Sequence, residues 1–368
     1  MAANITYHEQ TDMDNIRKLR EVLKTLPAFA KDYFRAIEPT TSTKTRISYA
    51  YDIRIFFQFL ISQNPSLAKI GIPNLNVSVL DQLKPIDIEE YMEYLKLYDS
   101  PNDQTTITNG ERGLKRKISS LRSFYTYYYK RQAIETNPVQ LVDMPKIHDK
   151  AIIRLDAGET AALLDYIEHC GDQLTGQRKA YYEKTKLRDL AIVTLLLGTG
   201  IRVSECVGLD VEDIDFRNNG IRLIRKGGSE MVVYFGPEVE KALKDYLESR
   251  KAISPLEGHE HALFYSTQRK RIGVQAVENL VKKYARAITT TKKITPHKLR
   301  STYGTTLYQE TGDIYLVADV LGHKDVNTTK KHYAAMDDAR RRSAASAVQL
   351  GEEHPYRKET SSETSEQP

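Results

Sequence analysis

The stretch "NPVQLVDMPKIHDKAIIRLDAGE", residues 137–159, constrains this chain more than any other. Pro138 and Pro145 each lack a backbone donor and crowd the preceding turn, so no helix runs through them. A chain of 368 residues interrupted in this way has to build two cores rather than one. We expect an N-terminal domain over 1–142, a linker over 143–154 and a second domain over 155–350. Asp156 and Glu159 stand in the positions of a capping box and mark where helix resumes. The final residues 351–368, "GEEHPYRKETSSETSEQP", have the polar composition of a disordered tail.

Before the linker the period is helical. In "TKTRISYAYDIRIFFQFLI", residues 43–61, Tyr49, Ile53, Phe56, Phe57 and Leu60 form one apolar stripe, with Lys44 and Arg46 away from it. In "GERGLKRKISSLRSFYTYYYKR", residues 110–131, the stripe is Leu114, Ile118, Leu121, Tyr125 and Tyr128, with Lys115, Lys117 and Arg122 off it. A helix around 12–37 and another around 85–97, opened by Pro85, complete a small bundle. Charged faces on helices usually serve only solvation. The alternative for these two is contact with a nucleic acid.

After the linker, helix "TKLRDLAIVTLLL" leads into a Gly198/Gly200 turn and "IRVSECVGL". The period then changes, since "GIRLIRKGGSEMVVYFG" alternates in two runs around Lys-Gly-Gly-Ser, the signature of a hairpin. More helices follow to about residue 350. The fold class expected is mostly α with a small antiparallel β-sheet.

Composition excludes several classes. The run "LAIVTLLLG" is far shorter than the roughly 20 residues of a membrane-spanning helix, and the first residues lack the basic and apolar regions of a secretory signal. We expect an intracellular protein with no membrane partner. Two cysteines, Cys170 and Cys206, supply neither a disulfide framework nor a thiolate metal site, and we expect both to be reduced core residues. His259 and His261 in "EGHEH" read as loop residues, so no metal is expected. The formal net charge of +5 only mildly favours an anionic partner.

Several polar residues each have an ordinary reading. Arg202 in "GTGIRVSE" could be a surface arginine paired with Glu205, and Lys226 an exposed turn lysine. In "TPHKLR", Pro296 suits a first helical turn and puts His297 and Arg300 on one face. In "LGHKDVNTTKKHY", Gly322 stops a helix, His323 sits in the turn and Asp325 caps the helix that carries Tyr333. With 23 tyrosines in the chain, Tyr333 by itself is unremarked.

In chain order, however, Arg202, Lys226, His297, Arg300, His323 and Tyr333, within "GTGIRVSE", "RKGGSE", "TPHKLR" and "LGHKDVNTTKKHY", closely resemble the tyrosine recombinase or phage integrase family. "RDLAIVTLLLGTGIRVSE", "RKGGSE" and "TPHKLR" resemble most its Xer type, in particular the single-recombinase XerS-like branch. The two basic helices resemble the DNA-gripping helices of the family, which turns the solvation reading around. The resemblance implies an N-terminal SAM-like helical core-binding domain and an α+β catalytic domain. It also implies double-stranded DNA as partner, with Lys44, Arg46, Lys115, Lys117 and Arg122 as candidate contacts.

It implies, further, that Tyr333 is a nucleophile forming a 3'-phosphotyrosyl link, since a side-chain oxygen that takes over the phosphate conserves the bond energy. Arg202 and Arg300 would clamp the nonbridging oxygens and Lys226 would protonate the leaving 5'-oxygen. His297 would take the tyrosine proton, His323 would bind the phosphate and Glu205 would steady the network. No metal and no cofactor enter this scheme. A homotetramer on two DNA sites is implied, joined by exchange of a C-terminal helix in "DDARRRSAASAVQL" and passing through a Holliday junction. Segment 166–187 is a further surface for a neighbouring subunit, any activating partner protein is left unspecified, and the location is the bacterial cytoplasm, at the nucleoid. Resolution of chromosome dimers is the expected role, with integration or excision of a mobile element as the alternative. A type IB topoisomerase and an inactive DNA-binding protein are the rivals outside it.

Binding dominated by backbone phosphates releases counterions. Affinity for DNA should therefore fall steeply with salt, and a flat log-log plot of affinity against salt concentration contradicts this.

Overall fold

The computed structural model describes residues 6–99, 105–148, 152–225, 230–323, 325–327 and 329. The chain divides into two compact units, Met1–Lys150 and Ala151–Pro368.

In the first unit, helix α1 (Tyr7–Leu23) begins with a capping box between Thr6 and Glu9. It ends short of Pro27, and α2 (Ala30–Ala36) follows. The continuous helix expected over 12–37 is thus two helices, because Pro27 cannot donate within a helix and its ring crowds the turn before it. Next come α3 (Thr43–Gln63), α4 (Pro65–Ile70), α5 (Pro85–Lys96), an antiparallel pair β1 (Leu97–Asp99) and β2 (Thr106–Thr108), α6 (Glu111–Lys130) and α7 (Pro138–Leu141). Pro138 opens α7 at its first turn, where a missing N–H costs nothing. The β1–β2 pair was not foreseen.

The two apolar stripes meet in this unit's core. Ile53, Phe56, Phe57, Leu60, Leu114, Ile118, Leu121, Tyr125 and Tyr128 are all buried, while Tyr49 is half-buried. Aromatic rings dominate: Phe124 stands edge-on to Phe57 at 6.1 Å, to Tyr33 at 5.1 Å and to Tyr128 at 5.0 Å. Edge-on rings place a positive edge on a negative face. The hydroxyls of Tyr33 and Tyr128 find partners there, while that of the buried Tyr91 has none. Tyr33 Oη bonds Ser123 Oγ at 2.9 Å and Tyr128 Oη donates to the Phe29 carbonyl at 2.8 Å.

The second unit opens with α8 (Ala157–His169), whose Asp156–Glu159 capping box is formed as its sequence implies. Helix α9 (Gly176–Thr199) is the centre of the unit, with Ala191 to Leu196 buried in succession. A helix apolar all round has to be surrounded. It packs on α8, on α11 (Pro237–Arg250) and on α13 (Pro296–Thr311), introduced with α10 (Val203–Gly208), α12 (Val274–Ile288) and α14 (Ile314–Leu321). Much of the segment 166–187 is the first half of α9, whose Tyr182 is buried with its hydroxyl on the Glu168 carbonyl at 2.6 Å. Asp189, also on α9, is buried and holds Arg188 Nη2 at 2.6 Å and the Tyr284 hydroxyl at 3.0 Å.

Between α10 and α11 lies a three-stranded antiparallel sheet in the order β3 (Ile214–Asp215), β4 (Gly220–Ile224), β5 (Glu230–Tyr234). Its register pairs Gly220 with Tyr234 and Ile224 with Glu230. This is the expected hairpin; residues 226–229 between β4 and β5 lie outside the described residues, as do Tyr333, the segment 337–350 and the tail 351–368. The fold is mostly α with small antiparallel sheets, as its sequence implies. Cys206 is buried and desolvation pushes its thiol up to about 12, whereas Cys170 is half-buried rather than a core residue. Among the described residues no helix is long and apolar enough to cross a membrane.

Phe124 sits where four other rings meet, with no exposure. Phe124→Ala should lower the stability of the first unit by about 3–5 kcal/mol, the usual range for an emptied aromatic site. Urea denaturation followed by circular dichroism measures it.

Candidate active site

Helix α9 stops because Gly200 takes a left-handed conformation, φ 63°. The chain turns, and Arg202 becomes the residue that caps α10. Its backbone N–H donates to Glu205 Oε2 at 2.7 Å and its Nη1 to Glu205 Oε1 at 2.7 Å. Glu205 is buried while the Arg202 side chain keeps 40% exposure. The ion pair that the ordinary reading foresaw therefore exists, but it is anchored on a buried carboxylate and leaves the guanidinium open to solvent on one side.

Helix α14 ends in the same way, with Gly322 left-handed at φ 59°. The last carbonyls of a helix have no partner within it and carry its negative end. Here three successive ones receive arginines. Arg225 Nη2 donates to the Val320 carbonyl at 3.1 Å, Arg300 Nη2 to that of Leu321, and Arg202 Nη2 to that of Gly322 at 3.2 Å. Arg300, 4% exposed on α13, also donates Nη1 to the Gly200 carbonyl at 2.5 Å. Both left-handed turns are thereby tied to one guanidinium.

Three cations this close repel one another. A hydrogen bond to a charged donor contributes about 1.5–3 kcal/mol, while burying a charge costs several kcal/mol. Carbonyls alone do not settle the balance, and Glu205 supplies the opposing charge: its Oε1 lies 2.7 Å from Arg202 and 3.8 Å from Arg225 Nε. Burial still lowers the pKa of Arg225, with Glu205 opposing and Arg202 adding to the shift.

His323 follows the Gly322 turn. Its backbone N–H returns to the Ala318 carbonyl at 2.9 Å, and its Nδ1 lies 2.7 Å from the hydroxyl of the buried Thr329. That contact fixes the ring plane. Asp325 Oδ1 accepts from the Asn327 N–H at 2.9 Å, the cap expected of it. His297 lies exposed in the first turn of α13, before Arg300. The structure thus gathers Arg202, Glu205, Arg300 and the His323 turn. Lys226 and Tyr333 lie outside the described residues.

Sequence reasoning missed Arg225. Its signal was present, because Ile221 and Leu223 are the buried residues of β4 and Arg225 continues their parity. A charged residue on the inward side of a strand end needs an internal partner.

The basic helices of the first unit need correction. Lys44 is exposed and Lys115 half-exposed, as a cationic face requires. Arg46 is instead 7% exposed and paired with Glu38 at 3.1 Å. Lys117, 6% exposed, donates to Asn109 Oδ1 at 2.7 Å, and its burial lowers its pKa. Arg122 donates to the Val139 and Val142 carbonyls at 3.0 and 2.9 Å, pinning α7 to α6. These three are placed as internal ties rather than on an outer face, because a long cation close to the apolar stripe can reach inward polar atoms that a periodicity count does not see.

Forked guanidiniums held in advance against one helix end, next to a histidine whose ring is fixed, make a site for the charge of a phosphoryl group. An enzyme of phosphodiester chemistry is the class this defines. Residues 154–340 match the phage integrase family. Over 346 residues the chain is 33% identical to the tyrosine recombinase XerC of Caldanaerobacter subterraneus subsp. tengcongensis, covering 90% of each. It is 29% identical over 344 residues to the tyrosine recombinase XerS of Streptococcus equi subsp. zooepidemicus, covering 88% of this chain and 96% of the relative. The chain belongs to the phage integrase family, whose members cleave and rejoin DNA, and it is a tyrosine recombinase of the Xer type, an enzyme of site-specific recombination. The fold is likewise similar to that of the XerH recombinase bound to a palindromic difH substrate, at a TM-score of 0.59 and 18% identity over 83% of this chain and 79% of that one. It is also similar to the Tn1549 transposon integrase in complex with transposon right end DNA, at 0.60 and 21% over 86% and 98%.

Glu205→Gln keeps the size of the side chain and removes the charge that gathers the arginines. DNA cleavage should slow by roughly 100-fold, the cost of misplacing a preorganised group by about 1 Å, and the melting temperature should fall, because the buried arginines lose their opposing charge. An unchanged single-turnover cleavage rate contradicts the role given to Glu205.

Proposed function

We propose that Tyr333 attacks a DNA phosphodiester held by Arg202 and Arg300, making a 3'-phosphotyrosyl link and releasing a 5'-hydroxyl. The observation that carries this reading is the pair of guanidiniums fixed on the Leu321 and Gly322 carbonyls, directly before the turn of His323 and ahead of Tyr333 in sequence. The Tyr333 oxygen forms a bond to phosphorus as the bond from phosphorus to the 5'-oxygen breaks. The phenol proton passes to His297, and Lys226 gives a proton to the leaving oxygen. A tyrosine with its ordinary pKa near 10 is a weak nucleophile, so this proton transfer matters. Arg202 and Arg300 take the growing charge on the nonbridging oxygens, and His323 donates to one of them. Glu205 holds Arg202 in place. Rejoining is the reverse attack by the 5'-hydroxyl of a partner strand, so no external energy source is needed.

The substrate in this reading is double-stranded DNA, gripped in part by Lys44 and Lys115. The relatives' Xer type supports two sites brought together by four protomers, exchange of strands through a Holliday junction, and resolution of chromosome dimers in preference to integration of a mobile element. Residues 337–350, "DDARRRSAASAVQL", would carry the segment exchanged between protomers. Work on DNA puts the protein in the bacterial cytoplasm, at the nucleoid.

The target can be recovered by trapping covalent adducts on fragmented genomic DNA of the source organism, then rebuilt as a nicked duplex. On that duplex the wild-type chain should accumulate a protein–DNA adduct. Tyr333→Phe should bind it equally and form none, and an adduct that persists in this variant overturns the assignment.

A further inference from the structure

Arg225 has no part in the reading above, yet the fold commits a buried charge to it. Its side chain is 11% exposed. Nη2 holds the Val320 carbonyl at 3.1 Å, Nε faces Glu205 Oε1 at 3.8 Å without a hydrogen bond, and the guanidinium lies close against Gly322. A Cβ at Gly322 would overlap Arg225 Nη1, so the close approach requires glycine there as much as the positive φ does. Arg225 is also the first residue beyond β4, directly before Lys226 in the chain.

We propose that Arg225 is a positioning residue, tying the strand that leads to Lys226 to the α14 terminus that holds Arg202 and Arg300. Among the described residues, Ile224–Glu230 is the last pair that holds the strand end to the sheet. The tie sets where the next residue stands relative to the phosphate clamp. This rests on the reading of Lys226 as the group that protonates the leaving oxygen.

The experiment compares two nicked duplexes of the recovered target, one with oxygen and one with sulfur at the bridging 5' position. A thiolate leaves without a proton, so a defect in delivering that proton vanishes on sulfur. Arg225→Gln should cleave the oxygen substrate on the order of 100-fold more slowly and the sulfur substrate within a few-fold of wild type. Arg225→Lys keeps a cation beside Glu205 without the fork, and should fall between, with the same rescue by sulfur. Should the Gln variant fail to fold by thermal melting, the Lys variant carries the comparison. The double variant Arg225→Gln, Lys226→Ala should be no slower than Lys226→Ala alone. No loss on either substrate, losses that multiply in the double variant, or equal loss on both substrates where sulfur rescues Lys226→Ala would each overturn the proposal. Lys226→Ala alone separates the two ideas. If sulfur fails to rescue it, Lys226 is not the proton donor, whereas non-multiplying losses would still show Arg225 acting through it.

Discussion

The catalytic end of this protein depends on the way helix α14 finishes. A helix leaves its last carbonyls without partners, and in most proteins water or a glycine turn satisfies them. Here the turn at Gly322 satisfies part of the end, and arginines from three other parts of the second unit satisfy Val320, Leu321 and Gly322. These carbonyls orient the guanidiniums without neutralising them. Their charge stays available to an anion while the direction of each fork is set.

The remainder of the unit can be understood as delivery of those arginines. The buried length of α9 carries the chain to Gly200, where one left-handed residue turns it so that Arg202 meets Glu205. Pro296 starts α13 so that Arg300 enters from the interior, reaching both the Gly200 and Leu321 carbonyls. Lysine could not do this, since a single ammonium lacks the planar fork that spans two fixed acceptors. Electrostatic preorganisation of this kind needs no movement of charge when the reaction occurs, which is why it accounts for much of enzymatic rate enhancement.

Much of this was legible beforehand. The stripes from Ile53 to Leu60 and from Leu114 to Tyr128, the cap at Asp156, the stops at Gly200 and Gly322 and the hairpin all follow from local rules that act over a few residues. The interruption at Pro27 follows one too, although helical periodicity on both sides of it concealed the break. Tertiary choices were less legible. Arg46, Lys117 and Arg122 look on a helical wheel like Lys44, and only the positions of Glu38, Asn109 and α7 decide that they turn inward. Arg225 was hidden for a related reason, since its partners are carbonyls, which carry no residue identity. Arg202, Glu205, Arg300 and His323 could be picked out by residue identity, whereas the carbonyls that hold the arginines could not.

The claim that matters most is that one phosphorus sits between the Arg202 and Arg300 forks with the Tyr333 oxygen in line behind it. A structure of the protein with nicked target DNA and vanadate, which adopts the five-coordinate geometry of the transition state, tests it directly. Vanadium bonded to the Tyr333 oxygen, with equatorial oxygens within hydrogen-bond distance of both guanidiniums, is the expected result. Vanadate bound elsewhere, or attached to a different side-chain oxygen, would contradict the account.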